Sequence, residues 1–219
     1  MKHRQIRDLT ILLPGLDDDD LDPVEGAPED EIFEELHDGD DWSHTTMAGG
    51  RVTGSRLVGV DLSDSEWRAT ALDRTELVRC DLSSARWDRV TVDRATFTGC
   101  RMTGIRLREV TLKNVVFDGC RLDYAVLDHV QAAGPVAFTD CVLVDAALTA
   151  CRLPNVVLDE CTLTRLALDD TDVRGTDLRG SRVAELSGLI SLRGVRLDPE
   201  QLPDLAEIAV RDLEILLGP

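Results

Sequence analysis

Through most of this 219-residue chain a large apolar residue recurs at every fifth position. The series opens with Trp42, Met47, Val52, Leu57 and Leu62 and holds to Leu127; after one extra residue near Gly134 and Pro135 it resumes at Phe138 and runs to Val183. Two positions before each large residue lies a small or β-branched one, as at Ser65, Thr70, Val90, Ala95 and Val115. All six cysteines (Cys80, Cys100, Cys120, Cys141, Cys151 and Cys161) fall in that phase. A period of five matches neither the 3.6 of an α-helix nor the 2.0 of a flat strand. It requires a backbone that turns after each pentad, with the large residue and the small one pointing inward and the other three forming wall and corner. Aromatic residues make up only 4% of the chain, so Leu, Val, Ala, Cys and Thr must fill the interior.

These units resemble those of the pentapeptide-repeat family, which read approximately Ala-(Asp/Asn)-Leu-x-x; Ser65-Glu66-Trp67, Cys80-Asp81-Leu82 and Thr176-Asp177-Leu178 share that phase. The resemblance covers about two thirds of the chain. It implies an all-β solenoid, a right-handed quadrilateral β-helix in which four pentads make one coil. Like residues recur 20 apart, as that architecture demands: Cys80, Cys100 and Cys120; Trp67 and Trp87; Phe97 and Phe117. Allowing for the slip, Phe138, Cys141 and Cys161 join the same columns. About seven coils at ~4.8 Å each give a rod of roughly 33 Å. Stacked cysteines then have parallel Cβ vectors, which suits buried thiols better than disulfides.

The repeat divides the chain into an acidic, largely disordered N-terminal arm over residues 1–41, the β-helix over 42–197 and a C-terminal amphipathic helix over 198–219. Within the arm, Arg4 to Leu13 has the apolar content of a short strand or helix expected to pack on the first coil. Asp17 to Asp41 is too charged to fold unaided, apart from a turn at Ile32-Phe33. Beyond the coils, Asp198-Pro199-Glu200-Gln201 reads as an N-cap, an N1 proline and a capping-box Gln. Leu202, Leu205, Ala209, Leu213, Leu216 and Leu217 follow at helical spacing and predict a helix of about four turns. Its plain role is to close the open end of the solenoid. The stretch from Ser191 to Leu197, followed by a proline and an apolar helix, is similar to the C-terminal element of mycobacterial gyrase-associated pentapeptide proteins; that resemblance implies a homodimer through the helix.

The formal charge of −18 is unevenly spread. Residues 1–50 hold 15 acids against 3 bases and residues 51–184 hold 20 against 18, so most of the acidity lies in the arm. Within the coils, residues 68–121 carry 11 bases and 7 acids while residues 122–178 carry 10 acids and 3 bases, which polarises the rod along its length. Placed on a 20-residue coil, Asp128, Asp140, Asp159, Glu160, Asp169, Asp170 and Asp177 fall on two opposite sides. These acidic coil edges are the candidate partner-binding residues.

No catalytic residue is identified. The cysteines point inward, and no Cys-His pair, Ser-His-Asp set, phosphate-cradling Gly-rich loop or metal-ligand spacing can be assembled. The expectation is a non-enzyme with no cofactor and no metal. No apolar run approaches the ~20 residues of a bilayer span, and Asp8 interrupts any signal-like segment, so a cytoplasmic protein without membrane contact is expected. Binding remains. The residues support a protein-interaction scaffold that uses the rod wall, the acidic arm or the C-terminal helix. The arm is a solvated tail, a lure for a basic partner, or a cover over the positive residues 68–121. The family resemblance implies an alternative, since some members imitate duplex DNA at the DNA site of type II topoisomerases. Opposed acidic edges would then stand for two phosphate strands, with DNA gyrase as the protein partner and altered sensitivity to quinolone-type drugs. Direct nucleic-acid binding is not expected of so acidic a chain.

Overall fold

In the computed structural model, which describes residues 2–28 and 30–216, the five-residue period becomes a right-handed, four-sided β-solenoid of about eight turns with one C-terminal helix. Each pentad bends because the residue two places after the large one is left-handed. Arg74, Arg79, Ser84, Arg89 and Arg94 have φ between 52 and 58°, and Gly99, Gly104, Glu109, Asn114 and Gly119 continue the pattern. A non-glycine residue in this region costs about 1–2 kcal/mol, and it persists because the ladder on either side fixes it.

The small phase has its own hydrogen-bonding rule. The Cys80, Cys100 and Cys120 thiols donate to the carbonyls of Leu57, Leu77 and Phe97 at 3.3, 3.5 and 3.3 Å. Thr176 and Ser181 hydroxyls donate in the same way to Leu153 and Leu158, both at 2.8 Å. In each case the acceptor lies 23 residues back, on the large residue of the preceding wall one coil below. All six thiols are free and buried.

The walls can be numbered along one coil. The first is centred on Leu62, Leu82 and Met102, the second on Trp67, Trp87 and Leu107, the third on Leu72, Val92 and Leu112, and the fourth on Leu77, Phe97 and Phe117. The second wall is a seven-stranded parallel sheet from Thr46–Ala48 to Ala167–Asp169. The third and fourth walls merge into an 11-stranded sheet, because Ala71–Val78, Thr91–Thr98 and Thr111–Asp118 continue unbroken around the corner between them. Single bridges such as Asp61↔Asp81 and Arg101↔Arg121 build most of the first wall. Like stacks on like inside: Trp67 and Trp87 lie 5.4 Å apart, Phe97 and Phe117 4.8 Å, and Phe117 and Phe138 4.6 Å. The slip is a one-residue bulge, since Leu112 pairs with Ala132 but Val115 pairs with Val136. Above Phe138 no aromatic side chain enters the core, and an apolar void of about 60 Å³ remains, lined by residues including Phe138, Leu158 and Leu163.

At the N-terminal end the coils reach further than Trp42. Strand Glu31–Phe33 pairs with Arg51–Thr53, and Glu35–Asp38 pairs with Arg56–Val58. Ile32 and His37 are buried in the large phase, two pentads and one pentad ahead of Trp42. A histidine in that phase hides these pentads from a count of apolar residues. His37 is accommodated because its two ring nitrogens lie 2.8 Å from Glu35 and Asp40 carboxylates and its ring meets Trp42 edge-on at 4.7 Å. Asp22–Pro23 adds a short rung on Glu35–Asp38, with Leu16 and Leu21 buried beside it. Most of this segment's carboxylates occupy outward positions, where charge costs a coil little.

The C-terminal helix α1 (Leu202–Asp212) has 11 residues, fewer than the four turns expected; Leu217 lies outside the described residues. The capping box forms as expected, with the Asp198 N–H donating to Gln201 Oε1 at 2.7 Å. Gln201 also reaches into the last coil and donates to the carbonyls of Leu178 and Ser181 at 2.9 and 2.6 Å. That anchor fixes the rotation of α1, and residues one, two and three turns on from Gln201 face the coils. Leu205 is half-buried, Ile208 is buried, and Asp212 accepts from the Gly188 and Leu189 N–H groups at 3.2 and 2.7 Å. The apolar seam read from spacing is therefore corrected. Ala209 is half-buried, but Leu202, Leu213 and Leu216 are 58, 60 and 95% exposed. No described helix is long and apolar enough to cross a membrane.

Candidate functional site on the outer walls

Three residues of each pentad face outward, and their charges are mostly answered one rung away. Arg86 meets Glu66 at 3.1 Å, Arg101 meets Asp81 at 3.0 Å, Arg108 meets Asp88 at 2.9 Å and Arg165 meets Asp145 at 2.6 Å, each pair 20 residues apart. The Arg108 hydrogen bond holds the Asp88 carboxyl below its ordinary range, and Arg165 does the same for Asp145. These ladders neutralise the central walls.

The seven acidic edge residues do fall on opposite sides. Asp128, Asp169 and Asp170 lie on the second wall, and Asp140, Asp159, Glu160 and Asp177 on the fourth, two pentads away. They are not equivalent. Asp177 is buried and takes a two-pronged hydrogen bond from Arg179, at 2.9 and 2.6 Å, which lowers its carboxyl's affinity for a proton. Asp159 is met by Arg7 at 2.5 Å, and Asp128 by His129 at 2.7 Å. Asp140, Glu160, Asp169 and Asp170 are exposed and, among the described residues, have no basic partner at ion-pair distance. The free acidic edge is thus two carboxylates on each of two opposed walls.

The arginine that meets Asp159 belongs to a segment expected on the first coil. Instead, β1 (His3–Ile6) and β2 (Leu9–Leu12) form an antiparallel hairpin that lies along the fourth wall far up the rod. Ile6 and Ile11 pack on Val116, Ala137 and Val157. Arg4 meets Asp118 at 2.7 Å and Asp8 meets Arg196 at 2.7 Å. The cover over the rod is therefore a basic hairpin on an apolar strip, and the acidic stretch that follows contributes Asp18 to Arg56 near the first coils. One signal was present in the sequence: Val116, Ala137 and Val157 are apolar residues in an outward phase on three consecutive coils. At the far end, Ile190, Leu202, Leu213 and Leu216 leave an apolar surface around a groove lined by Leu192, Val195, Leu197 and Leu205.

A family model described as Pentapeptide repeats matches in eight copies, over residues 75–114 and 141–180. Among solved structures, the chain is similar to full-length QnrB1, a plasmid-mediated fluoroquinolone resistance protein, with 16% identity, 85% of this chain and 98% of that one covered, and a TM-score of 0.44. It is similar also to HetL, a pentapeptide repeat protein involved in heterocyst differentiation regulation from the cyanobacterium Nostoc sp. strain PCC 7120, with 17% identity, 76% and 86% covered, and a TM-score of 0.32. No curated protein matches. The matched segments lie within coils whose five-residue register is paired strand by strand, and residues 75–114 and 141–180 carry pentapeptide repeats.

Proposed function

We propose that this protein is a non-catalytic scaffold that binds another protein along the outer walls of its C-terminal half. The uncompensated charge there carries the reading. Asp140, Glu160, Asp169 and Asp170 stand free on walls where other carboxylates, such as Asp88 and Asp177, are answered by arginines. A parallel ladder holds them at a fixed pitch of ~4.8 Å, so a basic surface would meet them without an ordering cost.

The opposed placement of the two free pairs favours a second reading, a DNA mimic that occupies the DNA site of gyrase. Neutralisation of Asp159 and Asp177 thins that array and makes the scaffold the better-supported reading. One set of variants tests both. A photo-crosslinking residue at position 140 or 170 of the full chain is expected to trap one discrete protein in cells, and its absence at both positions sinks the scaffold reading. If gyrase supercoiling is inhibited by the parent and spared by Asp140→Lys/Glu160→Lys/Asp170→Lys, the DNA-mimic reading replaces it. We further infer that the apolar C-terminal end joins two copies of the chain, which sedimentation equilibrium would register as a doubled mass.

A further inference from the structure

From rung to rung, one outward column of the fourth wall reads Arg56, Glu76, Thr96, Val116, Ala137, Val157, Asp177 and Arg196. Between Arg56 and Arg196 all rungs but three are polar, and those three are consecutive. Val116, Ala137 and Val157 would be open to water on a bare solenoid, yet they are 1, 0 and 3% exposed because the β1–β2 hairpin lies on them.

The hairpin is held only by side chains. Among the described residues, β1 and β2 pair with each other and with no strand of the rod. The contacts across the junction are the apolar cluster of Ile6 and Ile11 with Leu9 and Leu13 beside them, the ion pairs of Arg4, Arg7 and Asp8, a hydrogen bond from Arg7 to the Arg179 carbonyl at 3.3 Å, and one from the Leu12 N–H to Asn114 Oδ1 at 3.4 Å. A lone two-stranded hairpin is marginally stable in water, and half-exposed ion pairs are weak pins. A strand added to the ladder would be hard to remove; this segment can lift without breaking one rung.

We propose that the strip formed by Val116, Ala137 and Val157, flanked by Asp118 and Asp159, is a docking site for a basic, aliphatic hairpin or extended segment of a partner protein, and that the chain's own hairpin occupies it until displaced. The inference rests on the scaffold reading and specifies one of its surfaces. The occupant seated there shows the chemistry required. Two arginines reach carboxylates two rungs apart, about 9.6 Å, and two isoleucines cover the apolar rungs between them.

The test uses the full chain, its Arg4→Glu/Arg7→Glu variant and a fluorescein-labelled peptide with the sequence of residues 2–16. Charge reversal should speed amide exchange over residues 3–12 at least tenfold while far-UV circular dichroism of the coils stays unchanged. The opened chain should then bind the peptide at least tenfold more tightly than the parent, by fluorescence anisotropy. Ala137→Asp in the opened chain should remove that binding; Asp118→Asn/Asp159→Asn, which alters only half-exposed wall positions and gives the reversed hairpin no new ion pair, serves the same purpose should Ala137→Asp fail to fold. Unchanged exchange, peptide binding no tighter than the parent's, or binding that survives the wall substitutions overturns the proposal. None of these results depends on a cellular partner, so the crosslinking outcome at positions 140 and 170 stands or falls separately.

Discussion

Threonine, serine, cysteine, valine and alanine interchange in the small phase because it makes two demands that each meets in part. The side chain must fit between two coils, and a donor must find a backbone carbonyl, as Cys120 finds Phe97 at 3.3 Å, Thr176 finds Leu153 at 2.8 Å and Ser65 finds Leu62 at 2.7 Å. The large phase asks for volume, and it is underfilled where the aromatic column ends. Leu158 pairs in register with Phe138 and lines the 60 Å³ void above it. Leu158→Phe should extend the Phe97–Phe117–Phe138 stack and raise stability by about 1 kcal/mol. A lower melting temperature would mean that the void is not shaped to take a ring. Inward residues were legible in the sequence because volume repeats with the backbone. His37 was not, since its fit depends on Glu35, Asp40 and Trp42 meeting it in space.

Among the elements, α1 separates two tasks that a helical wheel merges. Its caps were readable from Asp198, Pro199 and Gln201, because those signals are local. Its orientation was not, because Gln201 is drawn inward by the carbonyls of Leu178 and Ser181, which belong to another part of the chain. Gln201→Ala should therefore cost about 2–3 kcal/mol through buried carbonyls left without donors, with faster amide exchange over residues 178–198. Leu216→Asp, at a side chain 95% exposed, should leave the melting temperature unchanged and halve the mass of the dimer inferred above. Equal melting temperatures for the two variants would show that Gln201 does not hold the end of the rod. The β1–β2 hairpin shows the same divide: Arg4 to Leu13 reads as a strand former, while its place beside Val116 and Val157 depends on coils more than 100 residues away.

For the whole molecule, acid sets two effects against each other. Lowering the pH toward the isoelectric point of about 4.5 relieves the self-repulsion of a chain with a net charge of −18, which favours the compact state. Below that, the arginine-paired carboxylates dominate. The Arg174 hydrogen bond pulls Asp172 from the ordinary 3.8 to about 2, and Asp88, Asp145 and Asp177 are lowered by their own arginines. A carboxyl that binds its proton less readily when folded contributes stability above its unfolded pKa and loses it as pH falls through the folded value. The melting temperature should accordingly hold or rise down to about pH 4.5 and then fall between roughly 4 and 2; a continued rise to pH 2.5 would show that the ladders of ion pairs contribute nothing. The hairpin, finally, makes this rod countable. A stack whose units touch only their neighbours can usually gain or lose one in evolution without penalty. Here Arg4, Arg7 and Asp8 must meet Asp118, Asp159 and Arg196 together, so a coil duplicated or deleted between those positions would put the clasp out of step. The hairpin gauges the stretch of rod from Asp118 to Arg196 and restrains its inheritance to one number of turns.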